Sequence, residues 1–520
     1  MVIFPANRIH GVICRMNEQT QRISIGFLTE GTYPFLGGGV STWSQLLISG
    51  LSQVDFYILA ATARPEASLR YPLPSNVKGL TQIAFWGLES NETGEQHRDI
   101  PELISQKRKT TEKIIDKLFL PHFRYFVRRL LQSHIDGDWD ELGDALVGMA
   151  LFLRDYNYGV TLHSLPVWNT FLEEILTAFP DDAPQSALAS PSIYDAKFSL
   201  QLLTALLRPL SIFPPRVQLF HATITSTVTL IGIVEKIRRN TPLLLTEHGI
   251  YLRERSIDIG ANHVFSYFQK YLLIRLSEIV SRLSYHYADL ITPVCHFNGK
   301  WETYLGADDH KIRVIYNAID TDRFIPRPKP PEYENAPTVV MVANVTPVKD
   351  VMTLIRAAQL VRDEIPDVKF MVYGSLSADK AYAEACQSLI QGLSLSDVVT
   401  LAGRHPHPEL VFPAGDISVL TSISEAFPFT VLESMSCARP VVATDVGGVA
   451  EALGDAGIIV PPRSPERVAE AIIRLLKDVS LRLALGQRSR ERVLSYFQIK
   501  HLLNGYQDVY NELRSISQTS

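Results

Sequence analysis

Apolar residues dominate the run RISIGFL (22–28), which predicts a strand. The loop TEGTYPFLGGG follows, and VSTWSQLLISGL then repeats apolar positions at helical spacing. The same succession returns at VQLFHA with a helix through Lys236, at PLLLTEHG, and at DLITPV with a helix through Leu305. Between Pro101 and Arg208 the spacing turns helical with few strand signals, which predicts a helical insertion at about 101–208. The proline-rich stretch FIPRPKPPEYENAP disfavours continued helix and marks a boundary near 322–337. Beyond it TVVMVAN, VKFMVYG, VVTLAG, ISVLTS, PVVATD and AGIIVP each read as a strand followed by helix or loop. Strands that alternate with helices predict parallel sheets covered on both faces. The fold class is therefore α/β, with two doubly wound, Rossmann-like domains at 1–321 and 322–500. A final helix at 501–520 is expected to pack back on the first domain. Chemistry is expected in the loops after VAN, VYG and LTS and, across a cleft, after GFL, FHA and LTEHG.

A length of 520 residues, 46% of them hydrophobic, suits two domains with large cores. The formal net charge of −5 gives no overall basic surface for nucleic acid or anionic lipid. Cys14, Cys295, Cys386 and Cys437 are far apart and form no metal-ligand spacing, which fits a reducing compartment. There is no apolar run long enough to span a membrane, and the first twenty residues lack the pattern of a secretion leader. A cytoplasmic location is expected, and the glycosylation triplet at Asn91 then carries no meaning.

The richest stretch is SEAFPFTVLESMSCARPVVATDVGGVAE, which places Glu425 in a loop and Glu433 in the second turn of a helix starting near Phe429. Unpaired N–H groups at that helix start favour a phosphate, and a carboxylate can accept hydrogen bonds from the hydroxyls of a ribose or pyranose. One site could so grip both parts of a nucleotide sugar. The plainer reading is a capping glutamate and a solvated one.

The ordered set of this stretch, VIYNAIDTDRF and TPVKD resembles glycosyltransferase family four, the retaining GT-B enzymes that use nucleotide-sugar donors. The resemblance implies that Glu433 binds the donor ribose and Glu425 the transferred sugar. It implies that the backbone at Thr430 and Val431 meets the diphosphate, and that Lys349 stabilises the leaving group. Phe427 and Arg404 join the donor-side residues. Gly38 and Gly39, in EGTYPFLGGGVSTW, match the family's glycine pair against phosphate and acceptor. His248 matches a histidine beside the donor sugar, and His221 a less direct one; both follow strands and are expected to point into the cleft. Two departures stand out: Asn344 occupies the place of a family arginine, a charge that Arg404 or Arg253 could replace, and Ala426 replaces a glycine. Arg253 and Arg255 of YLRERSID are candidates for diphosphate or acceptor. GT-B enzymes generally need no metal, so no cofactor is expected.

A narrower resemblance, carried by EGTYPFLGGGVSTW, LTEHGIYLRER and the helical insertion, is to the glycosyltransferases of Pel exopolysaccharide synthesis. It implies a UDP-glucose donor, a glycan acceptor and work beside an inner-membrane polysaccharide export complex. A catalytically weak nucleotide-sugar-binding scaffold is the alternative, with Asn344 its best support; a GT-B epimerase or phosphorylase is a third reading.

Overall fold

The computed structural model describes residues 22–65, 68–86, 100–132, 138–179 and 191–519. The leader reading, Cys14 and the Asn91 triplet lie outside the described residues.

Two six-stranded sheets form the frame. The first contains β1 (Ile23–Glu30), β2 (Val54–Thr62), β3 (Val77–Ala84), β4 (Leu219–Ala222), β5 (Leu243–Glu247) and β6 (Leu290–Pro293), in the order β3-β2-β1-β4-β5-β6. The second contains β7 (Thr338–Val342), β8 (Lys369–Tyr373), β9 (Val399–Gly403), β10 (Ile417–Leu420), β11 (Val441–Thr444) and β12 (Ile458–Val460), in the order β12-β11-β10-β7-β8-β9. Every strand pair is parallel. Central strands are covered on both faces, so LFHA and LLLTE are buried at every position, the polar His221, Thr246 and Glu247 included. In such sheets the crevice opens where the strand order reverses, here between β1 and β4 in one sheet and between β7 and β10 in the other.

Between β3 and β4 the described residues form seven helices within Ile100–Leu206, whose apolar sides share a core with Leu28, Phe220 and Leu245. The opposite face of the first sheet is covered partly by a helix from the far end of the chain, Ile499–Thr519. Its Leu502, Tyr506, Val509, Tyr510 and Leu513 are buried with Ile25, Phe27 and Trp43. Its two tyrosines reach the sheet's polar interior: Tyr506 Oη lies 2.9 Å from Thr246 Oγ1, and Tyr510 Oη 2.8 Å from His221 Nδ1. No helix among the described residues is long and apolar enough to cross a membrane.

One feature of the first lobe is costly. Glu247 and Glu302 are both fully buried without a cation between them. Glu247 Oε1 accepts from Tyr285 at 3.0 Å and from Thr225, while its Oε2 and both oxygens of Glu302 have no partner. Burial pushes Glu247 up to about 8, and burial followed by the charge of Glu247 pushes Glu302 up to about 9. Both folded values exceed the ordinary 4.5, so the stability these groups contribute is complete below that value and is lost as pH rises through 8 to 9. Glu302→Gln removes one of the two titrations. Thermal unfolding should give matching Tm values for parent and variant near about pH 5 and a Tm higher by about 2–4 °C for the variant near about pH 9. Parallel Tm curves across that range would exclude a titrating Glu302.

Candidate functional site

The site forms at the reversal point of the second sheet. The turn after β7 ends in Lys349, and the loop after β10 carries Ser422, Ser424 and Glu425. The two loops are tied together: Thr421 Oγ1 donates to the carbonyls of Lys349 (3.1 Å) and Asp350 (3.0 Å), and Ile423 N to Val348 O (2.9 Å). This brings Lys349 Nζ 2.5 Å from Glu425 Oε1, which also accepts from Ser422 Oγ at 2.6 Å. The carboxylate is the more enclosed partner, with 10% of its side chain exposed against 26% for the lysine.

The glycine pair in TDVGGVAE serves this loop. Gly447 has φ +56°, and a Cβ there would collide with the carbonyl oxygen of Glu425; Gly448 N donates to Ala426 O at 2.7 Å. Ala426 itself is not among the positive-φ residues, so alanine in place of glycine costs no backbone strain.

Glu433 is partly buried on the helix Phe429–Ser436. Burial pushes it up to about 7, with Arg323 lowering and Glu409 raising it. Its charged neighbours thus differ from those of Glu425. At the helix start Val431 N is taken by Pro428 O at 3.2 Å, a correction to the expectation that it is free for a phosphate. Pro428 provides no side-chain cap, so the first turn keeps open donors. Phe427 is also corrected: it is 3% exposed and stacked on Tyr316 (centroids 5.2 Å), which makes it core rather than a donor-lining side chain.

The first lobe meets this site through the helix Tyr251–Ala261. Arg253 Nη1 donates to Ser424 Oγ at 2.7 Å across the cleft. Burial raises the pKa of Glu254, the next residue, with Arg253, Asp258, Glu425 and Lys349 as its charged neighbours, so the helix start and the Lys349–Glu425 pair share one electrostatic environment. Asn344 is exposed after β7, and its Oδ1 accepts from Ser375 N at 3.1 Å, bracing two loops without charge. Arg404 is exposed at the end of β9, the outer strand, two strands from β7.

The glycine loop enters the helix Gly39–Gly50. A Cβ on Gly38 would meet nothing, whereas one on Gly39 would touch the ring of Phe429 at 3.5 Å, so the loop lies against the start of the second lobe's helix. His248 follows β5 with its ring packed on Trp43 (centroids 4.6 Å) and Nε2 unpartnered; burial drives its pKa down to about 3, leaving a neutral imidazole. His221 does not point into the cleft. It is fully buried, with Nδ1 at Tyr510 Oη and Nε2 2.8 Å from Thr246 Oγ1, because it lies on the side of β4 covered by the final helix. The sequence reading also missed Ser422, Ser424 and Glu254; Ser424 opens the quoted motif beside Glu425 and was its readable signal.

Comparison with known proteins follows this division into lobes. The family described as Domain of unknown function (DUF3492) matches residues 23–310, more than half of the chain, and Glycosyl transferases group 1 matches residues 322–492. N-acetyl-alpha-D-glucosaminyl L-malate synthase of Bacillus anthracis is 27% identical over 242 residues, covering 45% of this chain and 62% of that protein. Exopolysaccharide phosphotransferase of Streptomyces coelicolor is 31% identical over 218 residues, covering 41% and 22%. The chain thus spans less than two thirds of these relatives' lengths. Among solved structures, HepE of Anabaena with UDP and glucose superposes with a TM-score of 0.58 at 14% identity, covering 94% of this chain and 99% of that one. Sucrose-phosphate synthase of Thermosynechococcus elongatus gives 0.59 at 17%, covering 95% and 100%. The architecture is that of the GT-B glycosyltransferases. The chain belongs to the DUF3492 family, and its second lobe is a Glycosyl transferases group 1 domain.

Proposed function

We propose that the protein is a retaining glycosyltransferase that moves a hexose from a UDP-sugar, UDP-glucose foremost, to a glycan acceptor in exopolysaccharide synthesis. The observation that carries this reading is the Lys349–Glu425 pair at the reversal point of a glycosyltransferase domain, met across the cleft by Arg253. In the donor-free protein the lysine and carboxylate neutralise each other. An arriving diphosphate competes for the lysine, and the released Glu425 accepts from the sugar hydroxyls. Arg253 supplies from the first lobe the second positive charge that Asn344 does not carry, which links donor binding to the approach of the lobes. Thr430 N–H and the Gly38 and Gly39 backbone complete the diphosphate cradle, and Glu433 takes the ribose. With two cations on the leaving diphosphate, the C–O bond breaks toward an oxocarbenium-like state, and the departing phosphate takes the acceptor proton on the same face. Neutral His248 orients the sugar without adding charge.

These cations do the work a metal would do, so no cofactor enters the reading. The Pel-like motifs and the exopolysaccharide relative support a place beside an inner-membrane polysaccharide complex, held there by partners. Asn344 favours a second reading, a weakly active scaffold that binds nucleotide sugar.

A thermal-shift series with UDP-, GDP- and ADP-glucose tests the donor. Ligand at a hundredfold excess over Kd stabilises by about 2.7 kcal/mol, so UDP-glucose should give the largest rise in Tm. No shift with any nucleotide sugar would end both readings; a larger shift with GDP- or ADP-glucose would replace the donor. Binding without turnover would leave the scaffold.

A further inference from the structure

On the entry side of the first sheet, opposite its crevice, a cavity of about 300 Å³ is bordered by Arg216, Glu235 and Arg239, with Val217 and Phe220 as apolar lining. Two segments build it: the one leading into β4, and the one that joins the helix Thr229–Arg239 to β5. Ligands of a parallel sheet gather at the carboxyl ends of its strands, so this cavity lies away from the cleft that holds Lys349 and Glu425.

Positive charge gathers here around a single carboxylate. Glu235 is 1% exposed; its Oε1 lies 2.7 Å from Arg154 Nη1 and 3.4 Å from Arg238 Nη1, and its Oε2 lies 3.3 Å from Arg239 Nε. Arg216 belongs to the other segment, is partly buried, and makes no hydrogen bond or ion pair with the described residues. Four arginines against one glutamate leave a surplus of three positive charges, in a chain whose formal net charge is −5. Burial lowers the pKa of Arg154, Glu235 opposes this, and Arg238 and Arg239 lower it again, so the guanidinium groups disfavour one another. Basic side chains in the last turn of a helix complement its dipole, which accounts for Arg238 and Arg239. It does not account for Arg216, which enters the same cavity from a loop.

We infer that this cavity is an anion site that takes a phosphate group, free or as the ester of a small molecule. A guanidinium is a planar fork of N–H donors that matches phosphate oxygens, and two of them, from Arg216 and Arg239, border the same space. A phosphate dianion supplies the compensating charge that Glu235 alone does not. The volume is at the lower end of small-molecule cavities, so it suits a phosphate with a small organic group and not a polymer. Val217 and Phe220 give the carbon side of such an ester an apolar wall. The site shares no residue with the donor cleft, so the inference stands apart from the glycosyltransferase reading.

Isothermal calorimetry on the full chain at fixed ionic strength tests this, with inorganic phosphate and glucose 6-phosphate as probes and glucose as the neutral control. The parent should bind phosphate saturably and glucose not at all. Tighter binding of glucose 6-phosphate than of phosphate would identify an ester as the occupant; equal or weaker binding would identify free phosphate. Arg216→Gln and Arg239→Gln should each weaken phosphate binding by about tenfold or more, the loss expected when one charge-assisted pair is removed. Lys349→Ala should bind phosphate as the parent does, which separates the cavity from the donor cleft. Matching Tm values without phosphate show that the variants are folded, and Arg216→Gln decides alone if Arg239→Gln is not. Absence of phosphate binding in the parent, or binding in Arg216→Gln equal to the parent's, overturns the inference. So does loss of binding in Lys349→Ala with retention in Arg216→Gln, which would place the phosphate in the cleft.

Discussion

Lys349→Ala is expected to lower kcat/KM for UDP-glucose by about a hundred- to a thousandfold, because a positive charge aimed at the departing diphosphate is worth most where negative charge builds up. Lys349 Nζ is the cation in direct contact with Glu425, and its backbone is fixed by Thr421, so a substituted side chain cannot be replaced by a shift of the loop. Both steady-state turnover and UDP affinity should suffer, since in the proposed function the lysine meets the diphosphate before and during bond breaking. Lys349→Arg should recover part of the affinity and less of the rate, because a guanidinium keeps the charge but not the compact geometry of an ammonium. Initial-rate measurements over a range of UDP-glucose, with UDP binding followed by calorimetry, decide the matter. Turnover in Lys349→Ala within about twofold of the parent would remove the lysine from the chemistry.

Glu425→Gln should separate binding from transfer. Hydrogen bonds to a charged group contribute about 1.5–3 kcal/mol each, so if Glu425 accepts from two sugar hydroxyls as proposed, losing the carboxylate should cost about a hundredfold or more in kcat. UDP has no sugar to lose contact with. The substitution also frees Lys349 from its internal partner, so UDP affinity should hold or tighten. Calorimetry with UDP beside kinetics with UDP-glucose reads both. A parallel fall of UDP affinity and turnover, as in Lys349→Ala, would place Glu425 at the diphosphate rather than at the sugar.

The two sheets were readable because each strand–loop–helix unit announces itself locally, through apolar runs and a change of period. The paired glutamates were readable because they share one loop and one helix. What escaped were contacts made between loops. Arg253 and Ser424 are 171 residues apart, and no spacing along the chain records that they meet. His221 was misread for a related reason: a histidine in a strand can face either side of the sheet, and the side is decided by the final helix, whose Tyr510 takes Nδ1 while Thr246 of β5 takes Nε2. Val431 and Phe427 were assigned by position in a motif, whereas Pro428 O and the Tyr316 ring claim them locally. In the loop after β1, Gly38 and Gly39 were read as a pair facing phosphate and acceptor. Neither Gly38 nor Gly39 has a left-handed φ, and open space above Gly38 leaves its backbone accessible.

The helix Ile499–Thr519 completes the first lobe's interior with Tyr506 and Tyr510. During synthesis, that lobe emerges from the ribosome with its sheet face bare and His221 and Thr246 unsatisfied. It must wait for the entire second sheet to be made before its own last structural piece arrives. The lobe translated first is thus the one finished last, and the nascent chain has an apolar, aromatic-lined face to shield in the interval.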